Sequence, residues 1–179
     1  MHACRKDTLY AAKAARRLAL HRPEIKWAFL CRNSPEFEIY KRDIRRTLDG
    51  VSGVNTFDTQ SPKELARFLN AGDVILFPSL LEAVSIAALE AMACSRLIIS
   101  TSVGGMGEIL TNGKNSLLIP ERDERAIVRA LIHVSDDHSH CQCIAEEGHK
   151  LVNDNYRWRS VAERTLSNYQ KILSNPVVK

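Results

Sequence analysis

Residues 73–100 open with Asp73-Val74-Ile75-Leu76-Phe77-Pro78-Ser79-Leu80-Leu81-Glu82, continue through Ala83-Val84-Ser85-Ile86-Ala87-Ala88-Leu89-Glu90-Ala91-Met92-Ala93-Cys94, and close on Ser95-Arg96-Leu97-Ile98-Ile99-Ser100. The first and last parts contain short apolar runs, Val74 to Phe77 and Leu97 to Ile99, with no polar alternation. Such runs suit strands buried on both faces of a parallel sheet. Pro78-Ser79 stops the first run, and residues 85 to 94 supply a helix that returns the chain to the second. A strand, a crossover helix and a second buried strand make one unit of a parallel α/β sheet.

The same alternation extends outward. Toward the N-terminus, Leu9, Ala12, Ala15, Ala19 and Leu20 recur at helical spacing among Lys13, Arg16 and Arg17, which predicts an amphipathic helix from Thr8 to His21, ended by Pro23. Ile25 to Cys31 reads as a strand, Ser34-Pro35 opens a helix to Leu48, and Val54 to Phe57 reads as the next strand. Ser61-Pro62-Lys63-Glu64 is a capping box for a helix to Ala71. Toward the C-terminus, a loop holds Gly104-Gly105, Asn112-Gly113 turns into the strand Leu117 to Ile119, and helices are expected over 123–134, 138–152 and 158–173. The fold class is therefore α/β, a doubly wound, Rossmann-like parallel sheet with helices on both faces. Such sheets bind ligands outside the carboxyl ends of their strands, which points to the loop after Phe77.

The 179 residues are enough for one domain with a sizeable core, and residues 1–179 are read as one domain without repeat or linker. Hydrophobic residues at 45% and charged residues at 26% exclude a disordered or collagenous chain. Asp73, Glu82, Glu90 and Arg96 interrupt the most apolar third, so no window suits a membrane helix, and Lys13, Arg16 and Arg17 spoil a secretory apolar region. A net charge of +4 suits an anionic ligand without requiring one. Five cysteines without framework spacing read as unpaired thiols, and the chain is expected to be cytoplasmic.

Glu82 lies in the loop after the buried strand and Glu90 eight positions on, inside the helix. Eight residues of helical rise cover roughly 12 Å, about the reach from a sugar ring across a diphosphate to a ribose. Between them the helix N-terminus offers unpaired N–H groups to phosphate oxygens. Two carboxylates so placed can hold the hydroxyl-rich ends of a nucleotide-sugar.

The run 71–82, continuing through Leu89-Glu90-Ala91-Met92-Ala93-Cys94 and Val103-Gly104-Gly105-Met106-Gly107-Glu108-Ile109, resembles family-four glycosyltransferases of the GT-B fold, specifically their C-terminal, donor-binding half. The resemblance covers nearly the whole chain, from Lys6 to the terminal helix. It implies retaining transfer of a sugar from a nucleoside diphosphate donor to an acceptor hydroxyl, with no cofactor and no metal. It implies catalytic roles for Glu82, beside the donor sugar, and Lys6, on the diphosphate. Donor-binding roles fall to the backbone at Ala83, Val84, Ser85 and Ile86, to Glu90 on the ribose, to Gly104 and Gly105, and to Thr59 and Gln60 against the base.

Several positions depart from the family pattern: Ala83, Ser85 and Asp58 stand where glycines are usual, Ser95 and Leu97 replace a Gly and a Pro, and Gly107 replaces a Pro. The family's first strand, with its arginine, is missing ahead of Lys6. The resemblance also implies that a glycan, lipid-linked or small-molecule acceptor binds an N-terminal domain absent from these residues, so that the chain alone is expected to be inactive. A non-catalytic nucleotide- or partner-binding remnant of such a domain is the alternative.

His133, His138, His140, Cys141, Cys143 and His149 gather in sequence, but neighbouring and alternate positions on one helix face different ways, so no metal site is expected. Tyr156-Arg157-Trp158-Arg159 reads as a docking segment before the last helix and not as a nucleic-acid motif. The basic face of the first helix reads as solvated, which leaves peripheral membrane contact open. Neither a Gly-x-Gly-x-x-Gly fingerprint nor a Gly-x-x-x-x-Gly-Lys loop is present, against an unrelated nucleotide-binding enzyme.

Overall fold

The computed structural model describes residues 8–32, 38–59 and 61–174. In chain order the elements are α1 (Thr8–Ala19), β1 (Trp27–Arg32), α2 (Glu38–Thr47), β2 (Val54–Thr59), α3 (Pro62–Ala71), β3 (Val74–Phe77), α4 (Ile86–Ala93), β4 (Leu97–Ser100), α5 (Met106–Ile109), β5 (Leu117–Leu118), α6 (Glu124–Asp136), α7 (His138–Asn155) and α8 (Trp158–Ser174). All strand pairing is parallel, and it falls into two ladders. β1 pairs with β2, from Trp27 opposite Val54 to Arg32 opposite Thr59, while β4 lies between β3 and β5, with Val74 opposite Leu97 and Ile99 opposite Leu117.

The two apolar runs that set the fold differ in depth. β4, central in its ladder, is buried at all four residues, whereas Val74, Ile75 and Leu76 of β3 are only half-buried. Among the described residues β3 pairs on one side only, and three of its four residues are correspondingly less buried than those of β4. β2 is also an outer strand and is exposed from Asn55 to Asp58.

α1 joins the two ladders. Its buried stripe is Ala11, Ala12, Ala14, Ala15 and Leu18, while Leu20, one of the residues expected to be apolar-facing, lies past the helix end and is exposed. Ala11, Ala12 and Ala15 pack with Phe29, Ile44 and Leu48 on the two-stranded side, and Ala14 packs with Ile99, Ala126 and Ile127 on the three-stranded side. Alanines let the helix axis approach both neighbours closely, which longer side chains would prevent.

Most expected elements are present with ends moved by one or two residues. The start of the second helix, at Ser34-Pro35, lies outside the described residues. The α3 capping box takes a different form. Ser61 Oγ accepts from the Glu64 N–H at 3.3 Å, and the Ser61 hydroxyl donates to the Glu64 carboxylate at 2.9 Å, with the carboxylate turned to the side chain and not to the backbone. α5 is an element that periodicity misses, because a single turn starting from Gly105 is too short to show any. Trp158, expected to dock, is 84% exposed at the head of α8. Among the described residues no helix is long and apolar enough to cross a membrane.

Candidate functional site

The carboxyl ends of β3 and β4 meet a set of buried hydroxyls. Ser100 Oγ donates to the Thr101 carbonyl at 2.9 Å, Thr101 Oγ1 donates to the Ser79 carbonyl at 2.6 Å, and Ser79 Oγ donates to Glu82 Oε1 at 3.1 Å. Ser79, Ser100 and Thr101 are all buried. Burying a hydroxyl without a partner is costly, and here each of the three has one; this chain of bonds fixes the Pro78-Ser79 segment and through it the half-buried Glu82 carboxylate.

The loop from Glu82 to Ser85 is shaped from the other side by the two glycines. Gly105 N–H donates to the Ala83 carbonyl at 2.8 Å. Gly104 has a φ of +56°, and a Cβ there would lie 1.7 Å from the Glu82 carbonyl oxygen; a Cβ at Gly105 would lie 2.3 Å from that of Ala83. Both positions therefore require glycine for close backbone approach, and the left-handed φ at Gly104 adds a second reason. Gly104 and Gly105 act on the site by setting the path of the 82–84 backbone.

α4 begins immediately after. Its N-cap, Ser85, has extended backbone and makes no side-chain capping bond. The first intrahelical bonds run from Ala88 and Leu89 to the Ser85 carbonyl, so the N–H groups of Ile86 and Ala87 precede them at the open helix end. Ser85 is 3% exposed and its Oγ has no hydrogen-bond partner, one of two such buried atoms among the described residues, with Trp27 Nε1. The Ser85 N–H, in contrast, donates to the thioether of Met106 at 3.2 Å and is already engaged. Val84 and Ile86 are exposed beside it, and Glu90 is exposed on the second turn of α4.

The structure thus brings together Glu82, Ala83, Val84, Ser85, Ile86, Gly104 and Gly105, with Glu90 farther along the same helix. Thr59 closes β2, in the other ladder. Lys6 and Gln60 lie outside the described residues. Two features escape sequence reasoning: the unpartnered Ser85 hydroxyl and the Ser79–Glu82 bond. A Ser three residues to either side of a loop glutamate signals neither, since both depend on what β4 and α5 place against it. Among the described residues no group of three His, Cys, Asp or Glu side chains could hold a metal ion. The histidines divide between two helices: His149 Nδ1, in α7, lies 2.8 Å from the Ala93 carbonyl, and the His133 ring of α6 meets the His140 ring of α7 edge to face with centroids 6.2 Å apart.

Comparison with known proteins gives one consistent answer. A family model described as glycosyl transferases group 1 matches residues 1–137. Alpha-maltose-1-phosphate synthase of Mycolicibacterium smegmatis is 24% identical, over 93% of this chain and 45% of its own length. The C-terminal domain of a group 1 family glycosyl transferase from Francisella tularensis superposes with a TM-score of 0.79 at 22% identity, over 86% of this chain and 81% of that one. The Anabaena protein HepE, solved in complex with UDP-glucose, superposes with a TM-score of 0.83 at 14% identity, over 93% of this chain and 46% of its own. The chain spans less than half the length of the curated relatives it matches.

Proposed function

The chain belongs to the glycosyl transferases group 1 family, with the GT-B fold, and from that premise we propose that it is the donor-binding half of a retaining glycosyltransferase, taking a nucleoside diphosphate sugar as donor. The observation that carries this is the open N-terminus of α4: free N–H groups at Ile86 and Ala87 and an unpartnered, buried Ser85 hydroxyl, next to a Glu82 carboxylate held by Ser79. Helix N-termini attract anions through unpaired N–H groups and the helix dipole. A buried hydroxyl without a partner gains a hydrogen bond when a phosphate oxygen arrives.

Each side chain then has a task in the transfer. When the glycosidic bond breaks, negative charge develops on the departing diphosphate, and donors already aimed at that charge stabilise it without reorganising. Ile86 and Ala87 N–H and Ser85 Oγ–H supply them, assisted by Lys6. Ser85 thereby contributes through its side chain what its amide, spent on Met106, does not give. Glu82 orients the donor sugar through its hydroxyls, Glu90 takes the ribose hydroxyls, and Thr59 and Gln60 pack against the base. No metal or other cofactor enters this scheme.

The acceptor, whether glycan, lipid-linked or small-molecule, belongs to a second, N-terminal domain. Two features support a chain that is one unit of a larger enzyme. β1 pairs only with β2 and β3 only with β4 among the described residues, leaving each an edge on which a further strand can pair. α8 has no buried residue and exposes Trp158, Leu166, Tyr169, Ile172 and Leu173.

Calorimetric titration with UDP-, GDP- and ADP-sugars tests the donor site, with a UDP-sugar first because HepE was solved with UDP-glucose. Saturable binding that Glu90→Ala weakens is the expected result. A folded chain that binds none of the donors overturns it. Transfer of labelled sugar by these residues alone is expected to be negligible, and measurable turnover would refute the two-unit scheme.

A further inference from the structure

Lys41 is the one charged residue buried among the described residues, with a side chain 7% exposed. It sits in the first turn of α2, and its ammonium donates to Asp58 Oδ1 at 2.9 Å and pairs with Glu38 Oε1 at 3.2 Å. Asp58 is the penultimate residue of β2, at the position where the family pattern has glycine. Side chains alternate along a strand, and here Thr56 and Asp58 line a cleft of about 140 Å³ with Lys41, Ile44 and Arg45, whereas Phe57 meets the Phe68 ring at 5.7 Å. The end of this exposed outer strand is therefore held from both sides, by an ion pair on one and a ring contact on the other.

Stability alone does not account for the pair. Removing an ammonium from water is costly, and an apolar residue of similar volume is often as stable or more so in such a place. What an ion pair supplies and methionine does not is a fixed geometry between two named atoms. The Asp58 hydrogen bond, as the largest cause, holds the Lys41 ammonium above the ordinary lysine range.

We propose that the Lys41–Asp58 ion pair is a positioning device for the donor base: it fixes the β2 backbone at Asp58, so that the strand end assigned to the base is in place before the donor arrives. This rests on the donor-site reading above. Preordering a contact lowers the entropy lost on binding. The pair acts only on the base end of the donor and leaves the diphosphate contacts at α4 untouched.

That division supplies the test. Calorimetry on the wild-type chain and on Lys41→Met, Lys41→Arg and Asp58→Asn compares nucleoside diphosphates with inorganic pyrophosphate, which lacks a base. Lys41→Met and Asp58→Asn are expected to weaken the nucleoside diphosphate about tenfold, the cost of ordering one or two groups, with pyrophosphate unchanged and Lys41→Arg recovering most of the loss. Asp58 is 44% exposed, so Asp58→Asn keeps the test open where Lys41→Met does not fold. Variants that bind both ligands as wild type does, or lose both together, overturn the proposal. A folded wild-type chain that binds neither ligand overturns the donor site itself, and the proposal with it.

Discussion

β4 is buried along its whole length, and three buried hydroxyls continue from its end and that of β3 toward the site. β2 is exposed from Asn55 to Asp58, and its end is held by one ion pair and one ring contact. The three-stranded ladder carries Glu82 and the α4 N-terminus on a frame where buried hydroxyls are linked by hydrogen bonds and two glycines leave no room for a Cβ. The two-stranded ladder has few buried contacts of its own and leans on α1 and α2. Geometry near the α4 end is set by dense packing, and near β2 by a few directed bonds.

The sharpest way to break this comparison is to replace a glycine on each side. Gly104→Ala drives a Cβ into the Glu82 carbonyl and is expected to cost about 4 kcal/mol of unfolding free energy in urea titration. Gly50→Ala, before β2, has a similar φ of +70° but no atom within 4 Å, and is expected to cost only about 1 kcal/mol. Equal losses would show that the left-handed backbone dominates and that packing at the site does not.

Core truncation gives the next largest contrast. Ile99→Ala, in the centre of β4, is expected to lose about 3 kcal/mol, and Val54→Ala, half-buried in β2, about 1 kcal/mol, both from denaturant midpoints. Ser85→Ala separates stability from binding. Removing a buried hydroxyl without a partner is expected to leave stability unchanged or raise it by up to about 1 kcal/mol while weakening nucleoside diphosphate and pyrophosphate alike. A clear loss of stability would mean that the hydroxyl has a partner in solution.

The smallest effect concerns the junction of the two regions. Asp123 caps α6, which packs against α1, and its carboxylate accepts from the Ala126 N–H at 2.9 Å. That bond is the largest cause holding its pKa below the ordinary carboxylate value. A depressed folded-state pKa contributes stability that is present above the unfolded-state pKa and is lost as pH falls through the folded one. Thermal midpoints followed from neutral to acid pH should therefore fall less steeply in Asp123→Asn than in wild type; identical slopes would remove Asp123 from the acid response.

Much of the frame is legible in residue order, because strands, helices and caps depend on near neighbours. The unbroken runs at 74–77 and 97–99 give β3 and β4, Ser61-Pro62 gives the start of α3, and Glu82 and Glu90 stand out by their places after a buried strand and inside its helix. Lys41 does not stand out. It lies in Glu38-Ile39-Tyr40-Lys41-Arg42-Asp43, among charges that a solvated helix also carries, and its partner is seventeen residues away. The Ser85 hydroxyl is equally silent, since Ser is a common N-cap and only the surroundings deprive it of a bond.

The sequence by itself determined a parallel α/β chain and a carboxylate pair around one helix N-terminus, because hydrophobic periodicity and capping act over a few residues. Only the tertiary structure decided that pairing divides into two ladders, that one apolar strand is deep and the other half-open, and which lysine among the described residues is buried. Those outcomes depend on which surfaces meet across long stretches of chain, and burial changes the energy of a charge or a hydroxyl far more than its neighbours in sequence do.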